Sequence, residues 1–146
     1  PRAARGAAEL TVAEIARAAE KLRAGHDLVL VEGAGGLLVR LNSEGATLAD
    51  VASALAAPVL LVCRAGLGTL NDTALSGEAL KTRGLTCEGV LIGSWPSPPG
   101  LAERCNLAEL ADIAGAPLLG AFPEGMARLA PAEFAAAARA CLHRRS

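Results

Sequence analysis

An apolar run that ends in a carboxylate and a glycine cluster constrains the fold of this chain more than any other feature. Residues 28–31 are all aliphatic, Glu32 follows them, and Gly33, Gly35 and Gly36 come within the next four positions. Buried parallel strands have this continuous apolar character, and open α/β sheets bind ligands beyond the carboxyl ends of their strands. The run therefore predicts a parallel strand that delivers an acidic side chain to a tight, ligand-binding loop.

The chemistry of this glycine loop follows from its residue types. Glycines let backbone N–H groups approach an anion closely, and a glutamate is a hard oxygen ligand suited to Mg²⁺. The same residues could instead form a simple bend after a strand, with Glu32 exposed to solvent. We favour a binding loop, because a carboxylate between an apolar strand and a glycine cluster is costly unless something binds it.

Three further apolar runs have the length and composition of buried strands. They are residues 59–63, 89–93 and 118–122, so that strands recur roughly every thirty residues. Helical patterns lie between them, which predicts right-handed βαβ crossovers and a parallel sheet with flanking helices. The four strand exits would then lie along one edge of that sheet.

Five helices are predicted, and several have recognisable first residues. They cover residues 11–23, 47–55, about 71–83 and 106–115, with the last beginning at Pro131. Thr11 and Asn106 each stand three residues before a glutamate, the spacing of a capping box. Residues 94–100 are rich in proline and are expected to form a loop outside the sheet.

Charge and cysteine content exclude several classes of protein. Fourteen basic and fifteen acidic residues give a net charge of −1, so no global field would attract nucleic acid or an anionic membrane. No apolar run approaches the roughly eighteen residues of a membrane helix. The four cysteines show no C-x-x-C spacing, which argues against a zinc site or a disulfide framework. We therefore expect a cytoplasmic protein that binds neither nucleic acid nor membrane.

The sequence contains no Walker A loop. Its only lysines, Lys21 and Lys81, do not follow a glycine. The chain begins at Pro1, and residues 1–8 resemble neither a signal peptide nor a start region. We interpret residues 1–146 as a single α/β domain that forms the C-terminal part of a longer chain.

Four motifs in this order resemble the second half of the dethiobiotin synthetases, most closely the actinobacterial members. The motifs are V-E-G-A-G-G at residues 31–36, L-G-T-L-N at 67–71, G-S-W-P-S-P-P-G at 93–100, and P-L-L-G at 117–120 followed by Pro123. The first motif alone is shared with cobyrinic acid synthetases and related P-loop proteins, whereas the ordered set is much more specific. The resemblance implies a P-loop NTPase-like, three-layer α/β/α fold whose P-loop portion precedes Pro1.

The resemblance also implies an ATP-dependent cyclo-ligase reaction of biotin biosynthesis that requires Mg²⁺. In that reaction 7,8-diaminopelargonic acid is carboxylated by CO₂, a phosphoryl group activates the carbamate, and the second amine closes a ureido ring. Phosphoryl transfer depends on metal and oriented donors more than on a protein nucleophile, which agrees with the predicted glycine loop. The family's catalytic lysine lies upstream of Pro1, so this chain alone is expected to be inactive.

The resemblance assigns roles to individual residues. The nucleotide-binding residues would be Glu32, Gly33, Ala34, Gly35, Gly93, Ser94, Phe122, Pro123 and Glu124, with Glu32 also the Mg²⁺ ligand. The substrate-binding residues would be Gly36, Leu37, Leu70 and Asn71, the last reaching the substrate carboxylate across a homodimer interface. Two structural alternatives stay open, since Asn71 could simply cap a helix and Phe122 could belong to the core.

One departure from the family pattern concerns the nucleotide base. The family usually reads adenine with an asparagine, but Gly93 and Ser94 occupy the matching region here and carry no side-chain amide. ATP or another nucleoside triphosphate could therefore serve. The alternative functions are a catalytically inactive nucleotide-binding or dimerisation fragment and a cobyrinic acid synthase-like amidoligase domain.

Overall fold

The computed structural model of the chain describes residues 9–142. The chain packs as two compact units, Pro1–Ala57 and Pro58–Ser146. Residues 1–8, which we interpreted as resembling neither a signal peptide nor a start region, lie outside the described range. The prediction that all 146 residues form one domain stays a prediction.

The first unit contains two helices whose predicted starts are confirmed. Helix α1 (Val12–Arg23) follows Thr11, whose hydroxyl accepts from the Glu14 N–H at 3.2 Å while the Glu14 carboxylate accepts from the Thr11 N–H at 2.8 Å. Helix α2 (Leu48–Ala54) follows Thr47, whose N–H and hydroxyl both donate to Asp50 at 2.7 Å. Each acid thus holds the first turn of its helix.

The strand predicted at residues 28–31 is wrong. This run has no strand structure, and Leu28 and Leu30 are 73% and 78% exposed. An apolar strand of a parallel sheet is stabilised by ladder hydrogen bonds and by burial of both faces. Within residues 9–142 no strand pairs with this run. The sheet therefore has three strands where the sequence predicts four.

The second unit is a parallel sheet with flanking helices, as predicted. Its strands, in the order β1-β2-β3, are β1 (Val59–Cys63), β2 (Cys87–Trp95) and β3 (Leu118–Pro123). Both neighbouring pairs are parallel. The helices of this unit are α3 (Thr69–Thr82), α4 (Leu101–Ala114) and α5 (Pro131–Cys141).

The core of the second unit lies between β2 and α4. Ala65, Val90, Ile92 and Leu110 form a buried cluster, with partly buried apolar side chains packed around it. The central strand β2 is buried along residues 89–92. The edge strand β1 alternates between half-buried and exposed side chains. Its apolar residues Leu60 and Val62 lie on the exposed face.

Several boundaries differ from the prediction, and the largest differences are at the end of β2 and the start of α4. Ser94 and Trp95 belong to β2, so only residues 96–100 form the proline-rich loop. Helix α4 begins at Leu101, and Asn106 lies within it instead of starting it. The predicted end of α4 is confirmed, because Gly115 adopts the left-handed conformation with a φ of 60°.

Helix α5 ends against strand β3. Leu142 forms an antiparallel bridge with Gly120, whose φ is +156°. A Cβ atom at position 120 would lie 2.2 Å from the Cys141 carbonyl oxygen, so only glycine permits this approach. Across residues 9–142, each helix is too short or too polar to traverse a bilayer.

Candidate functional site

The glycine loop of the first unit makes the sharp turn that its composition predicts. Gly35 and Gly36 have φ values of 92° and 131°, which favour glycine, and the Val39 N–H donates to the Gly36 carbonyl at 3.3 Å. A Cβ atom on Gly33 would lie 3.0 Å from the Leu48 side chain at the start of α2. Glu32 and Ala34 are exposed on this loop, and Leu37 is half-buried.

The loop carries one carboxylate that could meet a metal ion. Among the residues that the structure describes, no three His, Cys, Asp or Glu side chains form a metal-binding group. Magnesium in nucleotide sites is commonly held by one or two carboxylates, with phosphates and waters completing its shell. A single exposed Glu32 beside flexible glycines fits that chemistry, and its role as a ligand stays a prediction.

The carboxyl ends of β1, β2 and β3 lie at one edge of the sheet in the second unit. Ile92 pairs with Ala121 and Trp95 pairs with Pro123, so Gly93 and Ser94 lie opposite Phe122 in an irregular part of the ladder. The Glu124 N–H donates to the Trp95 carbonyl at 2.9 Å. The structure thus brings together all five nucleotide-binding residues predicted in this unit.

The side chains at this edge have different surroundings. The half-buried Phe122 ring packs edge-to-face on the exposed Phe134 of α5, with ring centroids 6.5 Å apart, and neither ring belongs to the core cluster. Gly93 and Ser94 are exposed, and a Cβ atom on Gly93 would lie 3.0 Å from the Val62 side chain. Pro123 and Glu124 are exposed at the same edge, so the ends of β2 and β3 both present accessible surface there.

The predicted substrate residues Leu70 and Asn71 lie in the first turn of α3. Gly68, with a φ of 89°, precedes this helix and offers no capping side chain. The alternative that Asn71 caps the helix is therefore wrong. Leu70 packs against the core cluster, whereas Asn71 is exposed, with Nδ2 3.5 Å from the Asp72 carboxylate. The Leu70 side chain is only partly accessible to a ligand.

A cavity beside this helix start contains polar groups that the sequence did not single out. It has a volume of about 120 Å³ and is lined in part by Cys63, Arg64, Thr69, Asp72 and Thr73. The Arg64 guanidinium forms an ion pair with the Asp72 carboxylate across the first turn of α3. Burial raises the pKa of the Cys63 thiol, whose sulfur lies 3.1 Å from the Thr73 hydroxyl.

The sequence also predicted the wrong role for Asn106, which lies inside α4 and does not start it. Its side chain is buried, and Nδ2 donates to the carbonyl oxygens of Ala65 and Gly66 at 2.8 and 3.0 Å. An asparagine inside a helix has low helix propensity, and this could have signalled a tertiary hydrogen bond. Because Asn106 stands three residues before Glu109, the spacing of a capping box, it was instead predicted to start the helix.

Comparison with known proteins places the chain in a family. A family model described as an AAA domain matches residues 1–129. The chain belongs to this family. The AAA-domain match and the parallel sheet with flanking helices together support the P-loop NTPase-like α/β fold predicted from the sequence.

This AAA-domain chain is also homologous to actinobacterial proteins named ATP-dependent dethiobiotin synthetase. It is 64% identical over 125 residues to the Streptomyces coelicolor protein, covering 86% of this chain and 52% of that protein. It is 60% identical over 137 residues to the Saccharopolyspora erythraea protein, covering 94% and 60%. The chain spans about half the length of the curated relatives it matches. The resemblance seen in the four motifs is confirmed.

Proposed function

We propose that these residues belong to a dethiobiotin synthetase that carboxylates 7,8-diaminopelargonic acid with CO₂ and closes its ureido ring at the expense of a nucleoside triphosphate. The observation that carries this proposal is the identity of 64% to a dethiobiotin synthetase over 86% of the chain. The ordered motifs and the clustering of Gly93, Ser94, Phe122, Pro123 and Glu124 at one sheet edge support it.

In this proposal the glycine loop binds the anionic groups of the reaction. The left-handed turns at Gly35 and Gly36 expose backbone N–H groups that suit phosphate oxygens and the substrate. Glu32 would hold Mg²⁺ through its carboxylate, and the metal would supply positive charge that neutralises the phosphates. Gly33 and Ala34 line the phosphate side, and Leu37 lies nearer the diamine.

The start of α3 is proposed to hold the substrate carboxylate. The first N–H groups of a helix have no partners within the helix, and their dipoles favour an anion. Gly68 leaves this end free of a capping side chain, and Asn71 offers an exposed amide beside it. The Arg64 guanidinium lies at the same end, where it is paired with the Asp72 carboxylate.

Two exposed apolar side chains support the proposed homodimer. Leu67 precedes α3 and Leu75 lies one turn after Asn71, and both are exposed. Exposed leucines on either side of Asn71 are apolar surface that a second subunit would cover. A second copy that covers these leucines would also lie close to Asn71, as a shared active site requires.

The test is production of dethiobiotin by the full-length polypeptide encoded by the complete reading frame. Purified protein is incubated with 7,8-diaminopelargonic acid, bicarbonate, Mg²⁺ and each of the four nucleoside triphosphates in turn. Because Ser94 has no amide with which to read adenine, we expect turnover with more than one nucleotide. Nucleotide binding without product would instead favour the inactive nucleotide-binding fragment.

Substitution of Glu32 tests the metal role within the same assay. We expect Glu32→Gln to lower turnover by roughly a hundredfold, because a charge-stabilising group near the reacting phosphate is lost. It should also raise the Mg²⁺ concentration needed for half-maximal activity. Glu44→Gln, an exposed position in the same unit, is the matched control. Unchanged activity and Mg²⁺ dependence in Glu32→Gln would refute the assignment.

A further inference from the structure

We infer that Asn106 is a positioning residue for the substrate-carboxylate site, because it fixes the loop at residues 64–68 from which α3 begins. The inference rests on the proposed function, since it concerns the same carboxylate. It assigns a role to a side chain that lies within α4 and contacts no substrate group itself.

The contacts of Asn106 are specific to this loop. Its side-chain nitrogen donates to two successive carbonyl oxygens, those of Ala65 at 2.8 Å and Gly66 at 3.0 Å. One amide nitrogen has two hydrogens, so a single asparagine can satisfy both acceptors. Asn106 is only 7% exposed, which means that water cannot readily replace these hydrogen bonds.

The Ala65 carbonyl needs such a donor because of its place in the chain, whereas the Gly66 carbonyl accepts from Asn106 as well as from the Thr69 N–H. Strand β1 ends at Cys63 and α3 begins at Thr69, so Ala65 and Gly66 lie outside the regular hydrogen-bond pattern of either element. Ala65 is buried in the core cluster. A buried carbonyl without a donor costs about 1–3 kcal/mol, and the loop would rearrange to avoid that cost.

The rest of the loop has little freedom once these carbonyls are held. The Gly66 carbonyl also accepts from the Thr69 N–H at 3.3 Å, which joins the anchored residue to the first residue of α3. A Cβ atom on Gly66 would lie 3.5 Å from the Glu103 carboxylate, so the loop passes close to the first turn of α4. Gly68 then makes the left-handed turn that starts α3.

The consequence concerns the position of the proposed carboxylate site, measured against a base site that other residues form. Helix α4 begins directly after the loop at residues 96–100, which follows the proposed base-binding end of β2. Asn106 ties this helix to the segment that begins α3. The asparagine therefore sets the position of the helix start that binds the carboxylate relative to the sheet edge that binds the base.

The experiment uses the full-length polypeptide and the variant Asn106→Leu, which keeps the side-chain size and removes the donor. We expect the KM for 7,8-diaminopelargonic acid to rise about tenfold, equivalent to the loss of about one good hydrogen bond. The KM for the nucleotide should change by less than about twofold, since the base site lies on other residues. Asn106→Ser, which retains one donor, should give an intermediate value.

Leu118→Ala is the control for a general loss of stability. Leu118 packs against the same core but lies at the amino end of β3, away from the loop. It should lower the melting temperature and leave both KM values unchanged. Equal changes in the two KM values of Asn106→Leu, or no change in the substrate KM, would overturn the inference.

Amide hydrogen exchange separates this inference from the proposed function. In Asn106→Leu the Thr69 and Asp72 amides, which donate to the Gly66 and Gly68 carbonyls, should lose protection, whereas Leu118→Ala should leave them protected relative to the rest of the sheet. Unchanged protection in Asn106→Leu would overturn the anchoring role whatever the activity. A parent enzyme that makes no dethiobiotin would overturn the proposed function and the substrate role of Asn106, while the exchange data would still decide whether it anchors the loop.

Discussion

Thr11 and Asn106 carry the same local signal but occupy different places in their helices. Each stands three residues before a glutamate. Thr11 caps α1 through hydrogen bonds with Glu14. Asn106 lies inside α4, because that helix already begins at Leu101 and the amide finds two carbonyls of another segment. At the scale of residues, the role of a polar side chain in a helix depends on which hydrogen-bond partners lie within its reach.

The capping box of α1 should respond to pH. Hydrogen bonds from the Thr11 backbone N–H and hydroxyl lower the pKa of Glu14. Because the folded-state pKa is lowered, the stabilisation is complete above the ordinary value of 4.5 and is lost as the pH falls through the folded-state pKa. We expect the first-turn amides of α1 to lose exchange protection progressively as the pH is lowered below 4.5.

Glu14→Gln keeps an acceptor but cannot titrate, so its first-turn protection should not depend on pH over this range. Glu20→Gln, which removes only the exposed pair with Arg23 near the other end of α1, should retain the pH dependence of the parent. A parent chain whose first-turn protection is the same on both sides of this pH would contradict the assignment.

At the scale of elements, close backbone contact decides where α5 ends. Gly120 of β3 lies against the carbonyl of Cys141, and a Cβ atom there would overlap that oxygen at 2.2 Å. The last turn of α5 and the middle of β3 therefore depend on a residue without a side chain. Nothing in the local sequence around Gly120 distinguishes it from a glycine that merely weakens a strand.

Gly120→Ala should destabilise the chain by about 1–3 kcal/mol, because the end of α5 must move away from β3. Gly77→Ala is the control, since Gly77 lies inside α3 and a Cβ atom there would meet its nearest neighbour, the Ala114 carbonyl oxygen of α4, at an ordinary 3.8 Å. That change should stabilise the helix by roughly 0.5–1 kcal/mol. Urea unfolding measures both, and equal stability of Gly120→Ala and the parent would show that α5 does not dock as described.

At the scale of the whole molecule, apolar surface is left exposed on two elements. Strand β1 is one of the two edge strands of the sheet in the part of the chain that the structure describes, and its Val62 side chain is 65% exposed. The aliphatic run at residues 28–31 is also largely exposed. Unpaired edges and apolar faces favour association with another chain.

The 146-residue chain on its own is therefore expected to self-associate and to unfold without a sharp transition. Val62→Lys places a charge on the exposed face of β1 and should reduce self-association in analytical ultracentrifugation, with a stability change within about 0.5 kcal/mol. Leu61→Lys, at the half-buried neighbouring position, should unfold the sheet. A monomeric parent with a cooperative melt would refute this prediction.

The sequence by itself determined the elements whose signals are local. The starts of α1, α2 and α5 follow from Thr11, Thr47 and Pro131, and the strand Val59–Cys63 follows from its apolar run. The motifs also identified the family before any geometry was known. The structures of helix caps, turns and short apolar strands depend on a few neighbouring residues, so they can be predicted from the local sequence.

Only the tertiary structure decided the elements that depend on distant partners. Residues 28–31 have the composition of a buried strand, but a strand forms only where another strand accepts and donates its hydrogen bonds. The pairing of Trp95 with Pro123, which gathers the proposed base-binding residues, and the donation by Asn106 to Ala65 and Gly66 join residues far apart in the chain. Hydrogen bonds of this kind depend on how helices and strands pack against one another. A sequence pattern a few residues long cannot predict that packing.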